Sequence, residues 1–202
     1  MNKNFTRLAF TDSVKKAQQH YGTRKAYARM ETSGDKYQLT AEEAEYIHSR
    51  DGFYLATVGE TGWPYVQFRG GPKGFLKVID DTTLGYADFR GNGQYISTGN
   101  LQAGNRASLI LMDYARQQRL KIWAEVDILD PATDESLLQQ LSMPDYRARI
   151  ERLVVLKIEA YDWNCPQHIT PRYTADEIEQ FSQTQSQDDN TGGQFDTGIG
   201  SA

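Results

Sequence analysis

The cleanest alternation in the chain sets Leu120, Ile122, Ala124, Val126 and Ile128 against Arg119, Lys121, Trp123, Glu125 and Asp127. A period of two held over that length predicts a strand across 119–129 with one face in a core. The run before it, 106–112, reads Arg-Ala-Ser-Leu-Ile-Leu-Met and predicts a partner strand, with a polar turn at 113–118 between them. Upstream lie four shorter pieces rich in β-branched and aromatic residues, at 53–58, 63–68, 75–79 and 83–87. Turn clusters of Gly and Asp separate them, which predicts an antiparallel meander. A last long strand is expected at 153–158.

Helices are marked by their caps. Thr11 or Asp12 can open a short helix over 14–20, which Tyr21-Gly22 ends. Thr40-Ala41-Glu42-Glu43 is a capping box opening a helix to about Arg50, with Ala44, Ile47 and His48 toward the sheet. A glycine turn at 89–94 leads into a helix from Tyr95 to about Leu101. A further helix is expected over 131–141 with Thr133 as cap, and a final one over 174–180 from the box Thr174-Ala175-Asp176-Glu177. The chain thus divides into an N-terminal arm with one short helix (1–39), a folded domain (40–182) and a tail (183–202) whose Ser/Gln/Asp/Asn/Gly composition predicts disorder. The arm either wraps a partner subunit or frays in solvent.

Composition narrows the class. A chain of 202 residues with ordinary charge builds one globular core. The net charge of −5 argues against a general nucleic-acid binder, though it allows a local basic pocket. One cysteine requires no oxidising compartment, and no segment approaches the length of a membrane span, so a cytoplasmic location is expected. Twelve tyrosines fit a β-rich core and leave rings to line a pocket.

Candidate chemistry sits where the meander breaks. Arg69-Gly70-Gly71-Pro72-Lys73-Gly74 ends one strand and must bend before the next can pair. Glycines leave backbone N–H groups approachable, and two cations beside them suit a phosphate or another oxyanion. The alternative is a long basic hairpin loop that binds nothing. Gly91-Asn92-Gly93-Gln94, opening a helix at the end of the same meander, offers a second anion contact. Arg119, Lys121 and Trp123 share a strand face that either meets a planar anionic ligand or carries ordinary cross-strand pairs. The group from Glu159 to Ile169, with Trp163, Cys165 and His168, is a packed plug or a site wall. One Cys and one nearby His fall short of a metal ligand set. His48 reads as a surface or interface histidine.

In order and spacing these pieces resemble the pyridoxamine 5′-phosphate oxidase-like family of FMN-binding split β-barrels. The likeness covers about Phe53 to Pro171. It is carried by the Trp63-Pro64 strand, the Arg69 loop, Thr83-Leu84-Gly85-Tyr86-Ala87-Asp88, Gly91-Asn92, Asn100-Leu101, Asn105 to Leu109, Arg119-Leu120-Lys121 and Trp163. The resemblance implies a mainly β fold with peripheral helices, an antiparallel split β-barrel, and a homodimer with FMN between subunits. It implies cofactor contacts from Arg69, Gly70, Gly71, Pro72, Lys73, Gly74, Tyr86, Ala87, Asp88, Asn92, Gln94, Arg119 and Trp163, with His168 as the candidate acid–base residue.

Two departures shape the expected function. The family's Ser-Arg-Lys phosphate element is represented by Gly91-Asn92-Gly93-Gln94, which lacks both cations. Where true oxidases carry an Arg-Leu-His-containing motif, this chain reads Cys165-Pro166-Gln167-His168-Ile169. The expectation is therefore an FMN-dependent oxidoreductase acting on another small molecule, with a deazaflavin as the rival cofactor. The alternatives are a flavin- or haem-binding protein without turnover, and an interaction module whose pocket is vestigial.

Overall fold

The structure, a computed structural model, describes residues 4–32, 34 and 36–179. Seven strands form one antiparallel sheet: β1 (Gly52–Val58), β2 (Pro64–Gly70), β3 (Lys77–Asp80), β4 (Thr83–Phe89), β5 (Arg106–Asp113), β6 (Gln118–Leu129) and β7 (Ile150–Trp163). Their order across the sheet is β2-β1-β5-β6-β7-β4-β3, so β2 and β3 are its two edges. The sheet curls without closing, which makes it a split β-barrel.

The predicted alternation of β6 is realised: Leu120, Ile122, Ala124 and Val126 are buried. They meet Leu55, Leu109, Leu111, Leu156 and Ile158 in the main core. Each fully buried Leu or Ile there contributes about 1.5–3 kcal/mol over exposure. A smaller cluster of Ala87, Leu141 and Leu153 lies under α6 (Glu135–Leu141).

β7 runs well past the expected 153–158 because a bulge absorbs the break in its period. Trp123 pairs with Ala160 and Ala124 with Ile158, so Glu159 is the extra residue of the bulge. The extra residue turns Tyr161 into the core with Ile158, although three positions separate them. The first five residues of the segment expected to be a plug or wall, 159–163, are therefore strand.

α4 (Ala41–His48) forms as expected, with Thr40 and Glu43 in a reciprocal capping box. Its buried face differs from the expectation. Glu43, Tyr46 and Ile47 point inward, and His48 is exposed, accepting from Val78 N. The Tyr46 hydroxyl donates to the carbonyls of Leu111 and Gln118, fastening the helix to the β5–β6 turn. Burial alone would raise the Glu43 carboxyl, but hydrogen bonds from Thr40 and Trp163 outweigh it and hold it below its ordinary value.

The arm holds three helices rather than one: α1 (Phe5–Ala9), α2 (Asp12–His20) and α3 (Arg24–Met30). Thr11 caps α2 by accepting from Val14 N. Glu31 ties the arm together through Lys15 and Arg24. α1 is fastened to the barrel, where Phe5 packs on Trp123 at 4.7 Å between ring centroids. The expected helix over 131–141 is split: 131–133 form a 3-10 turn, and Asp134, not Thr133, caps α6 by accepting from Leu137 N. Thr174 and Glu177 cap a last helical turn over 175–179, while Gln180 and the tail 183–202 lie outside the described residues. No helix among the described residues is long and apolar enough to cross a membrane.

Candidate functional site

Arg69 is the penultimate residue of β2, at one edge of the sheet. Asp88 lies near the end of β4, at the other side of the open seam. Curling brings them together, and Arg69 Nη1 donates to Asp88 Oδ1 at 2.9 Å. Arg152, the register partner of Asp88 on β7, donates from Nε and Nη2 to Asp88 Oδ2 at 2.9 and 2.7 Å. One buried carboxylate thus holds two guanidiniums. Burial opposes the charge on Arg152, but Asp88 and Glu151 outweigh it and keep the guanidinium above its ordinary range.

Arg69 and Arg152 line a narrow cleft of about 30 Å³, with Tyr65 and Gln67 from β2 and the turn Gly91-Asn92-Gly93-Gln94. Ser97 and Thr98 of α5 (Ile96–Ala103) complete the wall. The turn is shaped locally: Asn92 Oδ1 accepts from Gln94 N, Gly93 takes a φ of +75°, and Tyr95 follows at +54°. Ser97 donates to Gln67 Oε1, which pins α5 to β2. Arg69 Nε is buried without a hydrogen-bond partner. A buried guanidinium donor left unpaired is costly, so an acceptor entering this cleft is favoured.

The glycine loop plays a different part from the one its composition suggests. Gly71 N donates to Asp51 O and Gly74 N to Arg50 O, at 2.9 and 3.0 Å. Gly74 has a φ of +75°, and a Cβ at Gly71 would lie 2.7 Å from the Phe75 ring. These glycines let the chain turn tightly enough to bury Phe75 and Leu76. Gly70 ends β2 opposite Gly52, and Pro72 accepts from Phe75 N within the turn. Lys73 faces another cleft, of about 170 Å³, with Arg50, Asp113, Arg172 and Glu177.

The remaining expected residues are placed elsewhere. Tyr86 is in the main core against Phe53 and Phe75, where burial pushes its phenol above the ordinary range. Ala87 lies in the smaller cluster under α6. Trp163 Nε1 donates to Glu43 Oε1 at 2.8 Å and its ring packs edge-on against Tyr46, so it braces α4. Arg119 donates to the Cys165 carbonyl from Nη2, and its Nε is buried without a partner. His168 is exposed at φ 65°. Of the expected set, Arg69, Asn92 and Gln94 line the cleft, and Asp88 holds its two arginines. Arg152, Gln67, Ser97 and Thr98 were not foreseen, although an aspartate inside the apolar strand 83–89 announces a need for cationic partners. No group of three or more potential metal-ligating side chains occurs among the described residues.

The chain matches the pyridoxamine 5′-phosphate oxidase family over residues 39–164. Among solved structures, it resembles the Lactobacillus delbrueckii protein named for pyridoxamine 5′-phosphate oxidase at 21% identity and a TM-score of 0.50, covering 63% of this chain and 95% of that one. HupZ of Group A Streptococcus is similar at 16% identity and a TM-score of 0.51, covering 67% of this chain and 99% of that one. At these identities the two structures speak to the fold alone. None of the curated proteins compared with the chain matches it. Because the family match spans every strand from β1 to β7 and the whole Arg69–Asp88–Arg152 cleft, the chain belongs to the pyridoxamine 5′-phosphate oxidase family.

Proposed function

We propose that the protein is an FMN-dependent oxidoreductase acting on a small molecule, with Arg69 as a principal contact to the flavin phosphate. The observation that carries this reading is Arg69 on the lining of a polar cleft, with a buried Nε that lacks a hydrogen-bond partner. The cleft residues fit a phosphate: a planar guanidinium matches its oxygens, and Gln94, Ser97 and Thr98 add neutral donors. When bound, FMN supplies hydride or electron transfer. The chain's own task at this site is to hold the anionic end and fix its direction. His168, exposed on its loop, remains the candidate acid–base residue.

Titrating the purified protein with FMN and with riboflavin tests the reading. FMN is expected to bind at least tenfold more tightly, since one charge-assisted hydrogen bond is worth about 1.5–3 kcal/mol. Equal affinities would remove the phosphate from the cleft. Reduction of the bound flavin by a screened set of small-molecule donors, followed by reoxidation, checks the oxidoreductase half of the proposal.

The working form proposed is a homodimer with the flavin at the subunit interface. A cleft of about 30 Å³ is far too small for the isoalloxazine ring, which would extend over a surface beyond it. The outer face of β2-β1-β5 is apolar and open: Tyr54, Val66, Phe68 and Ile110 are 38%, 59%, 57% and 37% exposed. Tyr54 sits between Phe68 and Ile110 in register, so these rings and branches are contiguous. Apolar patches of this kind mark association surfaces. Sedimentation at micromolar concentration is expected to give a dimer, and Val66→Asp a monomer with weakened FMN binding. A monomeric wild type that binds FMN tightly would overturn the dimer.

A further inference from the structure

We infer that Arg152 is the second cation of the phosphate site and that Asp88 is the residue that positions both guanidiniums. The inference rests on the FMN reading above and extends it to residues on β4 and β7.

Three observations support it. First, the turn 91–94 that lines the cleft has no cation, whereas Arg152 of β7 lines the same cleft. Second, Arg152 is held from several sides. Asp88 Oδ2 accepts from its Nε and Nη2, Glu151 Oε2 accepts from Nη2 at 3.1 Å, and the Tyr95 ring lies 5.0 Å from its guanidinium carbon. These contacts leave Nη1 without an acceptor among the described residues. Asp88 divides its oxygens, Oδ1 to Arg69 and Oδ2 to Arg152, so two like charges share one carboxylate rather than repelling across the cleft. Third, the local charge is unbalanced. Arg69, Arg90 and Arg152 face Asp88 and Glu151, which leaves the linked group with one net positive charge, and two of its three cations line the cleft. A phosphomonoester carries about −1.5 to −2 at pH 7 and presents several oxygens, enough for a donor from each arginine.

The competing explanation makes Arg152 a clamp on the seam, with no contact to ligand. The two differ in what a variant does to phosphate selectivity. FMN and riboflavin are titrated into the wild type, Arg152→Gln and the double variant Asp88→Asn/Arg152→Gln, with thermal melting followed in parallel. The double variant avoids a buried carboxylate short of partners. The ratio of FMN to riboflavin affinity is expected to fall about tenfold in both variants, with riboflavin binding little changed.

A folded variant that keeps the wild-type ratio overturns the inference and leaves the FMN reading standing. So does an equal loss of both flavins, or failure of both variants to fold, each of which assigns Arg152 to the seam. A wild type that does not discriminate between the flavins removes the FMN-phosphate reading itself, and this inference with it.

Discussion

Replacing Arg69 with alanine is expected to weaken FMN binding tenfold to hundredfold while leaving riboflavin binding nearly unchanged. The side chain ends a strand, so its backbone is fixed by pairing with Phe53, and Asp88 fixes its far end. A guanidinium held this way loses little further freedom on meeting a phosphate. Losing its charge-assisted hydrogen bonds costs about 1.5–3 kcal/mol, which is the stated change in affinity. The fold should survive, because Asp88 keeps two hydrogen bonds from Arg152. Titration of both flavins, monitored by quenching of flavin fluorescence, is the check. Equal weakening of both would make Arg69 a support for the fold or the ring, and no change in either would detach the cleft from flavin altogether.

Asp88→Ala should act chiefly on stability. It removes the acceptor shared by Arg69 and Arg152 and leaves two guanidiniums facing each other across a cleft. Breaking a buried ion pair from one side costs roughly 3–5 kcal/mol. Arg69 and Arg152 keep side-chain exposures of 18% and 19%, so water screens part of the loss and the low end, about 3 kcal/mol, is expected. For a domain of this size the midpoint of thermal unfolding should fall by roughly 6–12 °C. Asp88→Asn, which can still accept from one arginine, should lose clearly less. Urea unfolding of the three proteins measures this. A wild-type midpoint in Asp88→Ala would show that the triad adds nothing to the fold.

Much of the barrel was legible because its signals are local. The alternation at 119–129, the capping box at Thr40 and the turn before α5 each declare themselves within a dozen residues. α1 and α3 were hidden for the opposite reason. α1 has five residues, and the N-cap of α3, Thr23, makes no capping hydrogen bond, so neither shows the pattern a helix needs to be read. The extension of β7 was masked by its bulge, which shifts the apolar period just where a reader would follow it.

The cleft was legible in part. Arg69 could be found because a cation before glycines stands out, but the glycines themselves misled. Their composition suits an anion cradle, while their N–H groups at Gly71 and Gly74 are already bonded to Asp51 and Arg50. Arg152 was invisible because its meaning depends on Asp88, 64 residues away, through a register that no short window contains. The family resemblance pointed to the right barrel and could not supply a contact peculiar to this chain.

The place of β7 in the strand order also bears on how the protein is made. The β3–β4 hairpin joins the ladder only through β7, which follows every other strand among the described residues. The hairpin must therefore wait, with one edge of β4 uncovered, until residues some sixty positions later arrive and pair with it. Arg152 travels on that strand, so the lining of the cleft is complete only once β7 has been made. A nascent chain has nowhere to lodge a phosphate. Under the proposed reading, the flavin phosphate would meet a barrel whose strands are already joined rather than guide that joining.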